Sequence, residues 1–319
     1  MAELYIDTKK IENIIKKHRA KKVLFQAPSG IKRKLPAILQ SLEKKLNCAF
    51  IMSADSCFGA CDLPLGMVNS IKPDLVIHIG HEKMLPVKNI EYIPLEYKFE
   101  DSEKEELLRI LSDYLSSRCI SKVCGTATVQ YLFLLNWLKK EARKAGISIV
   151  LQKGVGVKKG LVLGCETKAA ECKIEQVLFV GDGLFHALGI AKNTGKDVIV
   201  LDPLSKKIKL VGKEEIGKRT KRRNFAILKA HNAETFGIVM STKPGQFFEK
   251  KALEAKMLLE KNGKKAVLIA TDIVSESTLA DFMLDCYVII ACPRISDDLS
   301  NWNIPAITFE ELKIAFCKT

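Results

Sequence analysis

Val23-Leu24-Phe25-Gln26, Ala49-Phe50-Ile51-Met52 and Leu75-Val76-Ile77-His78-Ile79, with a helix-patterned stretch over residues 34–46 between the first two, decide the fold. The apolar runs are short and do not alternate with polar residues, as expected of parallel strands covered on both faces. Strand, helix and strand in that order make a βαβ unit. The pattern recurs where Ile147-Ser148-Ile149-Val150-Leu151 and Gln176-Val177-Leu178-Phe179-Val180 follow a helical segment over 130–145. It recurs again in Gly237-Ile238-Val239-Met240, Ala266-Val267-Leu268-Ile269 and Tyr287-Val288-Ile289-Ile290, with helical spacing over 247–262. Sets spaced by roughly a hundred residues predict an α/β protein of three similar small domains, each a parallel sheet flanked by helices. The expected boundaries are 1–103, 104–205 and 206–319. A charged helix over 102–116 is expected to bridge the first pair, and a basic stretch over 205–223 the second.

Composition sets the class. A chain of 319 residues that is 47% hydrophobic and 28% charged can bury a large core. No apolar stretch is long enough to span a bilayer, and Met1-Ala2-Glu3-Leu4-Tyr5-Ile6-Asp7 lacks a signal-peptide pattern, so a cytoplasmic, membrane-free protein is expected. In that compartment the ten cysteines read as buried, metal-bound or catalytic rather than disulfide-bonded. Cys119, Cys124, Cys172 and Cys286 lie in or beside apolar segments and read as core residues, while Cys48 and Cys317 carry no local signal. The net charge of +14, concentrated in Lys206-Lys207-Ile208-Lys209 and Lys218-Arg219-Thr220-Lys221-Arg222-Arg223, suits an acidic partner or a solvated surface. A nucleic-acid reading rests on charge alone, because no aromatic interleaving, finger spacing or RNA-binding signature accompanies it.

Three cysteines stand out: Cys61 in Cys57-Phe58-Gly59-Ala60-Cys61-Asp62, Cys165 in Leu163-Gly164-Cys165, and Cys292 in Ala291-Cys292-Pro293-Arg294. Each is expected at the end of a strand-like run, where glycine or proline turns the chain. Three similar lobes that bring these turns together would converge three thiolates on an iron-sulfur site with one open iron. A structural zinc site is not expected, since no paired Cys-x2-Cys units occur. Cys57-x3-Cys61 begins like the Cys-x3-Cys-x2-Cys signature of ordinary radical enzymes that use S-adenosylmethionine, but the third position is Pro64. Glycine and polar residues also gather where strands end, in Pro28-Ser29-Gly30, Gly181-Asp182-Gly183 and Lys243-Pro244-Gly245-Gln246, the face where open α/β sheets bind ligands.

Taken together, Leu24-Phe25-Gln26-Ala27-Pro28-Ser29-Gly30, Phe58-Gly59-Ala60-Cys61-Asp62, His78-Ile79-Gly80-His81, Leu163-Gly164-Cys165, Gly181-Asp182-Gly183-Leu184-Phe185-His186, Lys243-Pro244-Gly245-Gln246 and Ala291-Cys292-Pro293-Arg294 resemble the archaeal 2-(3-amino-3-carboxypropyl)histidine synthase family, which begins diphthamide synthesis. Each motif alone is weak, but their order and spacing over nearly the whole chain are specific. The resemblance implies a 4Fe-4S cluster held by Cys61, Cys165 and Cys292 at the central junction of three domains. It implies no catalytic residue beyond those ligands. The cosubstrate would be S-adenosyl-L-methionine, cleaved to a 3-amino-3-carboxypropyl radical that adds to a histidine of elongation factor 2, releasing methylthioadenosine. A homodimer and an external electron donor are implied as well, with no direct nucleic-acid partner. Cys57 is an extra thiol beside the family pattern, read as packing rather than as a ligand.

Around that cluster, Arg294 is expected to pair in two-pronged fashion with the methionyl carboxylate. Gln246 would donate to the same group or cap its turn, and Gly245 would let backbone approach. Ser29 and Gly30 face the expected ligand side, though a Pro-Ser-Gly turn needs no ligand. Asp182 reads as a ribose-hydroxyl acceptor or a turn residue, and His186 and His81 as cosubstrate contacts, proton shuttles or turn braces. His78, inside a strand, reads as a hydrogen-bonded core residue. The alternatives are a doubly wound nucleotide enzyme, which Gln26-Ala27-Pro28-Ser29-Gly30 disfavours for want of a Gly-x-Gly-x-x-Gly turn, and a noncatalytic basic nucleic-acid-binding scaffold.

Overall fold

The computed structural model describes residues 3–154 and 158–317. Its chain divides into two compact units, one up to Lys213 and one from Glu214 onward. The first unit contains strands β1 (Glu3–Tyr5), β2 (Lys22–Gln26), β3 (Ala49–Met52), β4 (Leu75–Ile79), β5 (Ile90–Ile93) and β6 (Glu96–Lys98). It continues with β7 (Lys122–Ala127), β8 (Ser148–Val150), β9 (Val177–Val180), β10 (Val198–Asp202) and β11 (Lys207–Val211). The second unit holds β12 (Thr235–Ser241), β13 (Lys265–Thr271), β14 (Cys286–Ile290) and β15 (Ala306–Thr308).

Three larger sheets result, ordered β3-β2-β4-β5, β11-β10-β9-β7-β8 and β13-β12-β14-β15. Within these three sheets the pairings are parallel except β10 with β11, and β1 pairs antiparallel with β6 in a separate two-stranded sheet. With the strands of each sheet numbered in chain order, all three follow 2-1-3-4, and the second adds an antiparallel edge. This is the doubly wound order whose switch point lies between the first and third strands. The central strands β4, β9 and β14 are buried along their whole length, which explains their unbroken apolar runs.

The helix over residues 102–116 is expected to bridge domains; it forms as Asp101–Ser116 and packs on the second sheet. Leu107, Leu111 and Leu115, four apart, meet Leu135 and Leu138 of the helix Leu132–Ala142 in one core. Truncating such a buried leucine costs about 2–5 kcal/mol. The helix ends at Cys119, whose φ of 54° lets Ile120 N–H reach the Leu115 carbonyl at 2.9 Å. Cys119 is therefore an exposed cap and not a core residue. Cys124, Cys172 and Cys286 are buried as expected, but Cys124 and Cys172 join in a disulfide across 48 positions, with Cα atoms 6.4 Å apart, where free thiols are expected.

The basic stretch also differs from a linker. Lys207–Val211 is an outer strand whose alternating lysines keep a sheet edge soluble, so the division falls later than 205/206. Lys213–Asn232 is a helix, within which the side chains of Lys218 and Arg219 lie outside the described residues. Arg223 of the same run turns inward: Nε and Nη2 donate to the Glu311 carboxylate at 2.7 and 2.6 Å, and Nη2 also donates to the Ala306 carbonyl. Within the first unit Lys158 pairs with Glu82 at 2.6 Å, and the ring of Tyr97 on β6 stacks on that of Tyr131 just after β7. No helix among the described residues is long and apolar enough to cross a membrane.

Candidate metal and cosubstrate site

Buried polar side chains mark the carboxyl ends of the strands: Gln26 and Ser241 close β2 and β12, and Ser53, Asp62, Lys243 and Gln246 lie in the connections beyond β3 and β12. Cys61 sits in the connection between β3 and β4. Phe58 N–H donates to the Asp62 carboxylate at 3.0 Å, Asp62 N–H donates to the Gly59 carbonyl, and the Tyr92 hydroxyl donates to the Ala60 carbonyl at 2.9 Å. The turn that carries Cys61 is thus braced on both sides. Cys61 is half-buried, whereas Cys57 is buried at 5% exposure.

Cys165 occupies the tip of a two-residue hairpin in which Leu163 and Glu166 exchange backbone hydrogen bonds of 2.9 and 3.2 Å. Gly164 beside it has no room for a side chain, since a Cβ there would lie 2.5 Å from Cε1 of Phe185. Partial burial of the thiol, then the charge of Cys61, raises the Cys165 pKa. Cys61, far earlier in the sequence, is therefore near enough to add to the Cys165 shift. A thiol whose pKa burial raises is one that a cationic iron centre would convert to thiolate on binding.

Behind Cys57, His78 on β4 and His81 just past it face each other. His78 Nδ1 lies 2.9 Å from Gln26 Oε1, and its Nε2 lies 2.9 Å from His81 Nδ1 and 4.0 Å from Cys57 Sγ. Gly80 between them takes φ +114°, a conformation open to glycine that turns the chain back after β4. Burial drives His78 down to about 3, with His81 adding to the shift, and drives His81 down to about 4 against the opposing charge of Asp62. Both rings are neutral at physiological pH.

The remaining sequence-derived candidates separate by position. Ser29 and Gly30 open the short helix Ser29–Lys32 after β2 and are exposed. Asp182, exposed after β9, acts with burial to raise the pKa values of Tyr97 and Tyr131. His186 on the helix Phe185–Thr194 stacks on Phe179 at 5.7 Å and meets Phe185 edge-on at 5.1 Å. In the second unit, Gly245 and Gln246 lie in the turn after β12, where Gln246 N–H donates to the Lys243 carbonyl at 2.9 Å. Cys292 and Arg294 follow the neighbouring strand β14, and Ile295 N–H donates to the Cys292 carbonyl at 3.0 Å. Gln246 and Arg294 thus stand beyond the same ends of adjacent strands. Lys243, only 8% exposed and 3.7 Å from Asp272, is a cation of this turn that sequence reading quoted but gave no role. Tyr97 and Tyr131 carried no sequence signal at all.

A family model described as a diphthamide synthesis protein matches residues 27–319. The chain belongs to the diphthamide synthesis family. It is 33% identical to the 2-(3-amino-3-carboxypropyl)histidine synthase of Methanocaldococcus jannaschii, over 96% of this chain and 87% of that protein. It is 30% identical to the Pyrococcus horikoshii protein of the same name, over 94% and 87%. A crystal structure of Dph2 from Pyrococcus horikoshii with a 4Fe-4S cluster superposes with a TM-score of 0.88 at 29% identity, covering 99% of this chain and 91% of that one.

Proposed function

We propose that this protein is a 2-(3-amino-3-carboxypropyl)histidine synthase, a transferase acting in the first step of diphthamide synthesis on a histidine of elongation factor 2. The observation that carries the reading is the likeness along nearly the whole chain to a Dph2 solved with a 4Fe-4S cluster, in a chain where Cys61 adds to the burial-raised pKa of Cys165. Cys61, Cys165 and Cys292 would hold the 4Fe-4S cluster, one from each of three α/β lobes. When bound, that cluster supplies the electron for cleaving S-adenosyl-L-methionine.

The chain's own residues do the positioning. The Phe58–Asp62 and Tyr92–Ala60 hydrogen bonds fix the Cys61 turn, and Phe185 backs the Cys165 hairpin. Arg294, Gln246 and the buried Lys243 offer donors for the methionyl carboxylate, with Gly245 leaving backbone accessible between them. Asp182 and His186 line the corresponding end of the second sheet, and Ser29 with Gly30 that of the first. The basic surface would steer docking of the protein substrate to a homodimer fed by an external electron donor, in the cytoplasm.

Anaerobic incubation with reductant, S-adenosyl-L-methionine and elongation factor 2 should add an aminocarboxypropyl group to one histidine peptide, read by mass, and release methylthioadenosine. Formation of 5′-deoxyadenosine in its place would place the protein with ordinary radical enzymes. A colourless, iron-free protein after anaerobic reconstitution would sink the reading.

A further inference from the structure

We propose that Cys57, His78 and His81 form a second metal site, separate from the three cluster cysteines and suited to one divalent cation of borderline softness, with Zn2+ as the type. Their donor atoms all lie within 4.8 Å of one another, with Cys57 and His78 buried and His81 half-buried. Tetrahedral zinc with ordinary bond lengths places two imidazole nitrogens about 3.4 Å apart and a thiolate sulfur about 3.6 Å from each. The His78 Nε2 to His81 Nδ1 separation is 2.9 Å, and that from Cys57 Sγ to His78 Nε2 is 4.0 Å. The remaining Cys57–His81 separation lies within 4.8 Å, so shifts of about half an ångström for two pairs and up to about 1 Å for the third convert the one set into the other.

Two features of the surroundings suit a ligand set better than plain core packing. His78 Nδ1–H is held by Gln26 Oε1 at 2.9 Å, which leaves the Nε2 lone pair facing Cys57 and His81. Such an outer hydrogen bond is the usual support of a metal-binding imidazole. Gly80, at φ +114°, is what brings His81 back over His78 after only three residues. A sulfur and two imidazoles are also a borderline-soft donor set, distinct from the all-thiolate set of a cluster.

Loading balances simply. The cation displaces the thiol proton of Cys57 to solvent, while His81 moves its N–H from Nδ1 to Nε2, so one proton leaves per ion bound. Three protein ligands leave a fourth position for water on the solvent side of His81. The bound ion would pin the Cys57–Asp62 turn, and with it Cys61, to the end of β4.

The test uses the full chain carrying Cys61→Ala, Cys165→Ala and Cys292→Ala, which removes the cluster ligands so that the outcome is independent of the enzymatic reading. Titration with Co2+ should saturate at one equivalent, with a near-ultraviolet thiolate-to-cobalt band and the intense visible bands of four-coordination. Adding Cys57→Ala should abolish the near-ultraviolet band, and Cys57→Ala or His81→Ala should weaken binding tenfold or more. No saturable uptake by a chain with a native circular dichroism spectrum would overturn the proposal, as would a spectrum indifferent to Cys57→Ala. Should the triple variant fail to fold, the wild-type chain reconstituted with iron should take up one further equivalent of zinc that its Cys57→Ala counterpart does not. Equal zinc in the two would overturn it equally.

Discussion

Replacing Gly164 by alanine perturbs the presentation of Cys165 while leaving every thiol in place. Gly164 is not among the glycines of positive φ, so its backbone accepts alanine and the effect is steric. The new Cβ would meet Phe185 at 2.5 Å to Cε1 and 3.0 Å to Cζ, about 1 Å inside ordinary contact. The ring cannot retreat without cost, because its edge rests on His186, which stacks in turn on the fully buried Phe179. Overpacking of this kind costs about 1–3 kcal/mol, shared between ring rotation and displacement of the hairpin tip. We expect Gly164→Ala to lower the urea stability of the chain by that amount and to retain clearly less iron than wild type after anaerobic reconstitution and desalting. Phe185→Ala in the same chain should restore iron, since the obstructing ring is gone, giving a favourable coupling of about 1 kcal/mol or more in the double-mutant cycle. Full iron loading by Gly164→Ala, or strictly additive losses in the double variant, would refute the steric account of the hairpin.

Cys61→Ala, Cys165→Ala and Cys292→Ala should each lose cluster absorbance and activity, whereas Cys57→Ala should keep most of both; the reverse ranking would reassign the first ligand. Arg294→Lys should weaken S-adenosyl-L-methionine binding with iron content unchanged, because an ammonium does not reproduce a planar fork, and equal affinity by calorimetry would remove Arg294 from the site. Arg223→Met should destabilise the second unit by about 3 kcal/mol, followed through Trp302 fluorescence in a Trp137→Phe background, because it strands a largely buried carboxylate. Burial pushes the Glu311 carboxyl up, but hydrogen bonds from Arg223 and Thr308 outweigh it and hold the group below its usual range. The pair therefore contributes fully above the ordinary carboxylate range and fades as pH falls through the lowered value, so the gap between wild type and Arg223→Met should narrow in acid; a gap constant with pH would contradict this.

Much of this arrangement is legible in the chain because buried parallel strands are written as continuous apolar runs. Val23-Leu24-Phe25, Leu75 to Ile79 and Tyr287 to Ile290 all occupy the strands they predict. Strand β7 escapes the pattern, since Lys122-Val123-Cys124-Gly125-Thr126-Ala127 offers two β-branched residues among small ones, and its strand character comes from pairing with β8 and β9. Strand β11 is hidden for the opposite reason: its lysines read as a surface run, although Lys207-Ile208-Lys209 alternates as an edge strand should. The site divides in the same way. Cysteines, Arg294 and Gln246 announce their chemistry by residue type, but Tyr97, Tyr131 and the burial of Lys243 arise from packing between distant segments. The inward ion pair of Arg223 is likewise a tertiary fact inside a sequence of like charges.

Topology also changes what the three cysteines mean. They are expected at strand ends, and only Cys292 follows its strand closely; Cys61 and Cys165 lie well inside the longer connections between the second and third strands of their sheets. Since all three sheets share one strand order, equivalent positions can be compared directly. The place that Cys292 takes after β14 is taken by Gly80 and His81 after β4 and by Gly181 and Asp182 after β9. Cys61 and Cys165 share the connection between the second and third strands, whereas Cys292 follows the third, so a repeated lobe alone does not account for all three positions. The same comparison sets His81 in the first sheet where the third carries Cys292, so metal-binding residue types follow the third strand of two sheets by different chemistry.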